Sequence, residues 1–289
     1  MPLIQVCMRL DRDLVGLFFE QTVPGANRIR GVTVVSHPVI QIYEIQTPEE
    51  AATMIKLGVD HVGSVVTSSD RRHDPQIRDT IAVVREMGAV SSLIPLYTQT
   101  EVVLDTLDYH QPDIVHFCDR LTGAKDPAVD EALSLQERVR QRFPDIRIMR
   151  SIPIGQPGCA DLQEVLALAN KLVSLSDFFL TDTVIRSDSG TQDADQPVNG
   201  FVGITGLTCD WDVAAQLVST SRIPVVLAGG ISPENVAAGI RMVRPHGVDS
   251  CTGTNARDRQ GKPIRFKKDV SRVEKLVAEA KRTRAPGQR

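Results

Sequence analysis

The feature that most constrains this chain is a rhythm. From residue 39 onward, short apolar runs alternate with helix-compatible stretches eight times over. Runs that read as strands fall near 39–45, 61–66, 89–95, 113–117, 146–152, 177–181, 223–227 and 247–251. The helical stretches that follow them lie near 48–57, 75–87, 99–109, 127–142, 160–174, 210–219, 233–243 and 268–283. Ile223-Pro224-Val225-Val226-Leu227 is β-branched and almost uninterrupted, as a strand covered on both faces should be. Thr47-Pro48-Glu49-Glu50 and Ser232-Pro233-Glu234 each set a capping hydroxyl before a proline and acidic residues, which marks a helix start. Eight βα units in about 250 residues is the arithmetic of an α/β fold of the (β/α)8 TIM-barrel type. A doubly wound open sheet shares the alternation and is the alternative. The expected layout is an N-terminal extension over 1–36 with a short helix from Arg12 to Glu20, a barrel over 37–284 and a tail at 285–289. The long polar connection over 183–202 reads as a lid, a binding loop or a disordered segment.

Charge and composition narrow the function classes. Lys plus Arg is 33 against Asp plus Glu 36, a net charge of −3, so no general attraction to nucleic acid or anionic membrane is expected. The basic residues Arg265, Lys267, Lys268 and Arg272 read as a solvated terminal helix and tail. No apolar run approaches the roughly 20 residues that span a bilayer. Five cysteines without close pairing read as reduced thiols in a cytoplasmic protein. The six histidines show no recurring ligand spacing, so no metal is expected.

The strongest local signal is Ala228-Gly229-Gly230-Ile231-Ser232-Pro233, where a buried strand runs into two glycines and a capped helix. Glycine backbone can approach an anion closely and point N–H groups at it. The bland alternative is that the glycines only turn the chain. A second small-residue turn, Ser250-Cys251-Thr252-Gly253-Thr254, follows the eighth strand. Loops after strands seven and eight are the usual phosphate site of such barrels. Asp182 ends an apolar strand and shares a face with Phe178 and Leu180, which would set it at the catalytic rim if that face looks inward. An N-cap or loop role is the competing reading.

On these residues the chain, from Val39 to about Lys281, resembles the phosphoribosylanthranilate isomerase family of tryptophan biosynthesis. Leu180-Thr181-Asp182-Thr183, Gly203-Ile204-Thr205-Gly206, Cys209-Asp210-Trp211, Leu227 to Val236 and Gly247-Val248-Asp249-Ser250 carry the likeness. Upstream, Ser69-Asp70-Arg71-Arg72 is similar to the segment after strand two. The resemblance implies a cofactor-free Amadori rearrangement of an aminoaldose phosphate. It makes Asp182 the general acid, sets Arg71 on the substrate carboxylate, and gives Gly229, Gly230, Thr252 and Gly253 the phosphate.

Strand one departs from the family. Where the family reads Lys-Ile-Cys-Gly, with the cysteine as base, this chain has Gln41-Ile42-Tyr43-Glu44. Tyr43 takes the position of the base, although ionising a phenol of pKa near 10 at pH 7 costs about 4 kcal/mol, roughly 2 more than for a thiol. Strand alternation points Glu44 away from the interior. His116 shares a face with Ile114 and Cys118 and titrates in a useful range, though a lone strand histidine is more often structural. Asn255 stands where the family has an acidic residue. Three readings follow: an isomerase with a changed base, a relative acting on another phosphorylated small molecule, or a non-catalytic phosphate-ligand binder.

Overall fold

The computed structural model describes residues 37–185 and 199–283. The expected helix at Arg12–Glu20, most of the polar connection after residue 185 and the C-terminal tail lie outside them. Eight parallel strands run β1 (Val39–Ile42), β2 (His61–Val66), β3 (Val90–Pro95), β4 (Ile114–Phe117), β5 (Arg147–Gly155), β6 (Phe178–Val184), β7 (Val225–Leu227) and β8 (Gly247–Ser250). They hydrogen-bond in chain order and close into a barrel through β1 and β8, with Val39 opposite Gly247 and Ile42 opposite Ser250. That last pairing rules out the open sheet. Between and after the strands come α1 (Pro48–Leu57), α2 (Pro75–Glu86), α3 (Thr100–His110), α4 (Ala128–Arg142), α5 (Leu162–Leu172), α6 (Trp211–Thr220), α7 (Val236–Val243) and α8 (Val270–Arg282).

The helix starts follow their local chemistry. Thr47 caps α1, its hydroxyl accepting from the Glu50 amide at 3.2 Å. At α7 the expected start is displaced. The Ser232 amide donates to Asn235 Oδ1 at 2.8 Å, which holds residues 232–235 as a turn before the helix begins at Val236. Outward strand residues such as Ile40, Ile42, Val225 and Leu227 pack with Met54, Leu217, Ile240 and Leu276 of the helices in one buried cluster. Each such side chain contributes about 1.5–3 kcal/mol of transfer free energy, so closure of the helical ring supplies much of the stability.

Three differences from the sequence reading bear on the site. β1 stops at Ile42, because Glu44 adopts the left-handed backbone region with φ 62°. β6 runs on to Val184. After β8 the chain forms a short antiparallel hairpin, β9 (Asn255–Arg257) and β10 (Pro263–Lys268), before α8. Arg265, Lys267 and Lys268 therefore belong to a strand and not to a solvated helix or tail. Arg265 pairs with the buried carboxylate of Glu44 at 2.7 Å, and Lys268 is itself buried. Glu44 lies 221 residues upstream of Arg265, so local pattern could not reveal the pairing.

Inside the barrel, Tyr43, Val65, Ile94, Met149, Leu180, Val226 and Ala228 form a separate apolar cluster. A polar string crosses it. The Tyr43 hydroxyl lies 2.5 Å from Ser92 Oγ and 2.9 Å from His116 Nδ1, and His116 Nε2 lies 2.9 Å from Ser151 Oγ. The phenol needs space that a cysteine would not, and Gly63 on β2 provides it. A Cβ on Gly63 would fall 2.1 Å from Tyr43 Cδ1. Gly63→Ala is therefore expected to destabilise the barrel by about 1–3 kcal/mol through overpacking. Denaturant unfolding checks this, and adding Tyr43→Cys to the same chain should recover most of the loss.

Candidate active site

A cavity of about 770 Å3, mouth included, opens where the strands of the barrel end. Its wall comes from Tyr43 just past the end of β1, β6 (Leu180, Asp182), the turn after β7 (Ala228 to Ile231) and β8 with its following turn (Asp249, Cys251 to Gly253). The segment after the polar connection passes over it. Arg120 and Val202 donate backbone hydrogen bonds to Gly200 and Cys118 at 2.9 Å each, tying this return to the end of β4. Phe201 to Gly206 then line the cavity.

Asp182 projects inward with Leu180, as strand alternation requires. Its Oδ1 accepts from the Thr183 amide at 2.8 Å, and no ion pair reaches it among the described residues. Burial pushes its pKa up to about 7, against the opposing effect of the Thr183 amide. The carboxyl can thus hold a proton near neutrality and give it up, as a general acid must. Gly203 closes over it; with φ 99°, a Cβ there would fall 2.2 Å from Asp182 Oδ2. Next to it Ile204 has φ 63°, where the family pattern has glycine. A β-branched side chain in this region is strained.

The two small-residue turns meet at one end of the cavity. Gly229 and Gly230 have φ 83° and 65°, and their amides donate no hydrogen bond among the described residues. A Cβ on Gly230 would fall 2.6 Å from Leu207 C, and one on Gly253 would fall 2.1 Å from Ile231 O. Neighbouring backbone thus requires these glycines whatever ligand is bound. Thr252 carries a separate signal: its hydroxyl is buried at the cavity wall with no partner among the described residues. An orphaned buried donor is costly unless a ligand satisfies it.

The other expected residues stand differently. Arg71 lies outside the cavity wall, 65% exposed, with its guanidinium 2.6 Å from Asp74. Tyr43 lines the cavity, but burial raises its pKa well above the usual phenol range. It stands as a neutral hydroxyl and not as a phenolate base. His116 is held neutral by burial, its pKa pushed down to about 3. Glu44 has turned to the hairpin: it takes Arg265 Nε at 2.7 Å, the Phe266 amide at 3.1 Å and Asn255 Nδ2 at 3.4 Å. Burial would raise its pKa, but Arg265, the Phe266 amide and Lys268 together hold it below the usual range.

Sequence reasoning missed one group in this cavity. Asp249 on β8 accepts from Gln41 Nε2 at 3.1 Å, and Gln41 Oε1 in turn lies 3.3 Å from His61 Nδ1. Burial, with a smaller contribution from the charge on Asp182, pushes the Asp249 carboxyl up to about 7, while the Gln41 bond opposes the shift. The available signal was alternation, which sets Asp249 on the face of Gly247 and Cys251. Among the described residues no cluster of His, Cys, Asp and Glu is arranged to hold a metal ion, and no helix is long and apolar enough to cross a membrane.

A closed parallel barrel with an acid of near-neutral pKa on β6 and small-residue turns after β7 and β8 defines the (β/α)8 class. Within that class, the profile of the N-(5'-phosphoribosyl)anthranilate isomerase family matches residues 179–261. An N-(5'-phosphoribosyl)anthranilate isomerase of Methanosarcina mazei is 31% identical over 225 residues, covering 74% of this chain and 84% of the relative. That of Methanocella arvoryzae is 25% identical over 254 residues, covering 85% and 99%. The chain belongs to the phosphoribosylanthranilate isomerase family. In fold it is similar to the enzyme of Thermotoga maritima, with a TM-score of 0.59 at 21% identity over 84% of this chain and 98% of that one. A solved phosphoribosylanthranilate isomerase in complex with reduced 1-(o-carboxyphenylamino)-1-deoxyribulose 5-phosphate gives a TM-score of 0.57 at 20% identity, with the same shares covered.

Two outcomes follow from the strain and the buried carboxyls. Ile204→Gly relieves about 1–2 kcal/mol of left-handed strain and gives back roughly 0.5–1 in chain entropy, so it should raise stability by up to about 1 kcal/mol in denaturant unfolding. Asp182 binds its proton more tightly folded than unfolded, so its contribution to stability is complete below about pH 4 and is lost as pH rises through about 7. Asp182→Asn should therefore raise Tm relative to wild type by an increment that grows between pH 5 and pH 8. A constant difference across that range would show that the carboxyl titrates normally.

Proposed function

We propose that this chain isomerises phosphoribosylanthranilate, an aminoaldose phosphate, to the corresponding aminoketose phosphate by acid/base catalysis. The observation that supports this most is Asp182, a carboxyl whose pKa burial raises to about 7, on the wall of a cavity whose other end is lined by the two small-residue turns. In this reading Asp182 protonates the ribose ring oxygen as the C1–O bond opens. Thr252 Oγ1 and the amides of Gly229, Gly230 and Gly253 receive the phosphate. Charge-assisted hydrogen bonds of that kind are worth roughly 1.5–3 kcal/mol each.

Arg71 is the proposed partner of the anthranilate carboxylate. To serve, it exchanges Asp74 for the substrate, leaving the Asp74 carboxylate with the Gln76 amide at the start of α2. Tyr43 contributes as a fixed neutral hydroxyl in the cavity wall. No observation here favours a different phosphorylated substrate or a purely binding role.

Loss of anthranilate-type fluorescence on mixing the protein with freshly made phosphoribosylanthranilate is the direct test. Wild type should turn over, and Asp182→Asn should lower kcat by about 10²–10⁴-fold. Full activity in that variant would remove Asp182 from the mechanism. Thr252→Val should raise KM by roughly 10- to 100-fold with a smaller change in kcat. It probes the phosphate end more cleanly than a glycine substitution, which would displace backbone. An unchanged KM would place the phosphate elsewhere.

A further inference from the structure

With Gln41 on β1 and Tyr43 just after it, the chain lacks the lysine and the cysteine base of the family pattern, yet proton transfer at C2 still needs a base. The cavity wall limits the choice. Tyr43 and His116 commit their polar atoms to Ser92, Ser151 and each other. Glu44 is bound to Arg265 and the hairpin backbone. Asp249 differs from all of these. The β1–β8 register sets it opposite Gln41, whose amide fixes Oδ1 at 3.1 Å. Oδ2 accepts no hydrogen bond among the described residues, and the side chain borders the same cavity as Asp182.

We propose that Asp249 is the general base of the isomerisation, positioned by Gln41. The proposal rests on the isomerase reading above. Asp182 gives its proton to the ring oxygen as C1–O breaks and the nitrogen lone pair forms C1=N. The Asp249 carboxylate takes the proton from C2; the C–H pair becomes C1=C2 and the C=N pair returns to nitrogen. The enol hydroxyl then passes its proton to the Asp182 carboxylate while C1 receives one from Asp249. The ketone forms and both carboxyls return to their starting states, with no oxidant or reductant involved.

The exchange of lysine for glutamine at position 41 fits this role. An ammonium there would hold Asp249 as a weakly basic carboxylate, whereas an amide orients it without adding charge. The groups that face Asp249 are Asp182 from β6, Lys268 from β10, and Tyr43 and Cys251, both of which burial keeps protonated. His61, behind Gln41, is held neutral by burial, its pKa pushed down to about 3.

The test compares wild type, Asp249→Asn and Gln41→Lys on freshly made phosphoribosylanthranilate, with binding of the reduced product analogue measured in parallel. Asp249→Asn should lose at least 100-fold in kcat while its Kd for the analogue changes less than threefold. Gln41→Lys should move the acid limb of the kcat–pH profile to lower pH and reduce the plateau, and it carries the test if Asp249→Asn does not fold. Asp249→Asn retaining more than a tenth of kcat, or an unmoved acid limb in Gln41→Lys, would each overturn the assignment. A wild type that binds the analogue but turns nothing over would instead defeat the isomerase reading, and this proposal with it.

Discussion

Enclosing two carboxyl groups in a closed barrel, with no ion pair made to either among the described residues, is the condition on which the rest of the site depends. Asp182 and Asp249 both border one cavity, and burial raises the proton affinity of each to a pKa of about 7. A carboxyl in water would be ionised at that pH and useless as an acid; here the barrel wall supplies the correction. The same burial costs stability above neutrality, which the outer helical ring offsets through its apolar contacts. Function and stability thus draw on opposite faces of the same strands.

Departures that look unrelated along the chain are neighbours in the fold. Glu44 and Asn255 stand where the family pattern has glycine and an acidic residue, and their side chains meet at 3.4 Å. The carboxylate has moved from the turn after β8 to the end of β1, where Arg265 and Lys268 of the hairpin neutralise it. Gly63 and Tyr43 form a second such pair, small against large. Gln41 hydrogen-bonds Asp249, a residue that fits the family pattern. Each departure on strand one thus meets a partner in the fold that accommodates it.

Much of the fold and part of the site could be read before any coordinates. The period of apolar runs, the caps and the glycine turns are local properties, set by backbone sterics and by which face must be buried. They located all eight strands and set Asp182 on one face with Phe178 and Leu180; that this face looks inward was decided by the fold. The hairpin after β8 escaped because Arg265 and Lys268 look like solvated charge until Glu44 and Asn255 are brought beside them. Asp249 escaped because a lone carboxylate at a strand end carries no local mark of its environment.

By itself the sequence determined the order of elements, the position of the two small-residue turns and the loss of a thiol at strand one. Only the tertiary structure decided that the sheet closes, that Tyr43 is a neutral phenol held by Ser92 and His116, and that Arg71 rests on Asp74 outside the cavity. It also decided that Asp249 stands beside Gln41 in the same cavity as Asp182. The physical reason is one of range. Backbone preference and hydrophobic period act over a few residues, whereas a pKa or an ion pair is set by whatever lies within a few ångströms. For Gln41 and Asp249 that neighbour is 208 residues away along the chain.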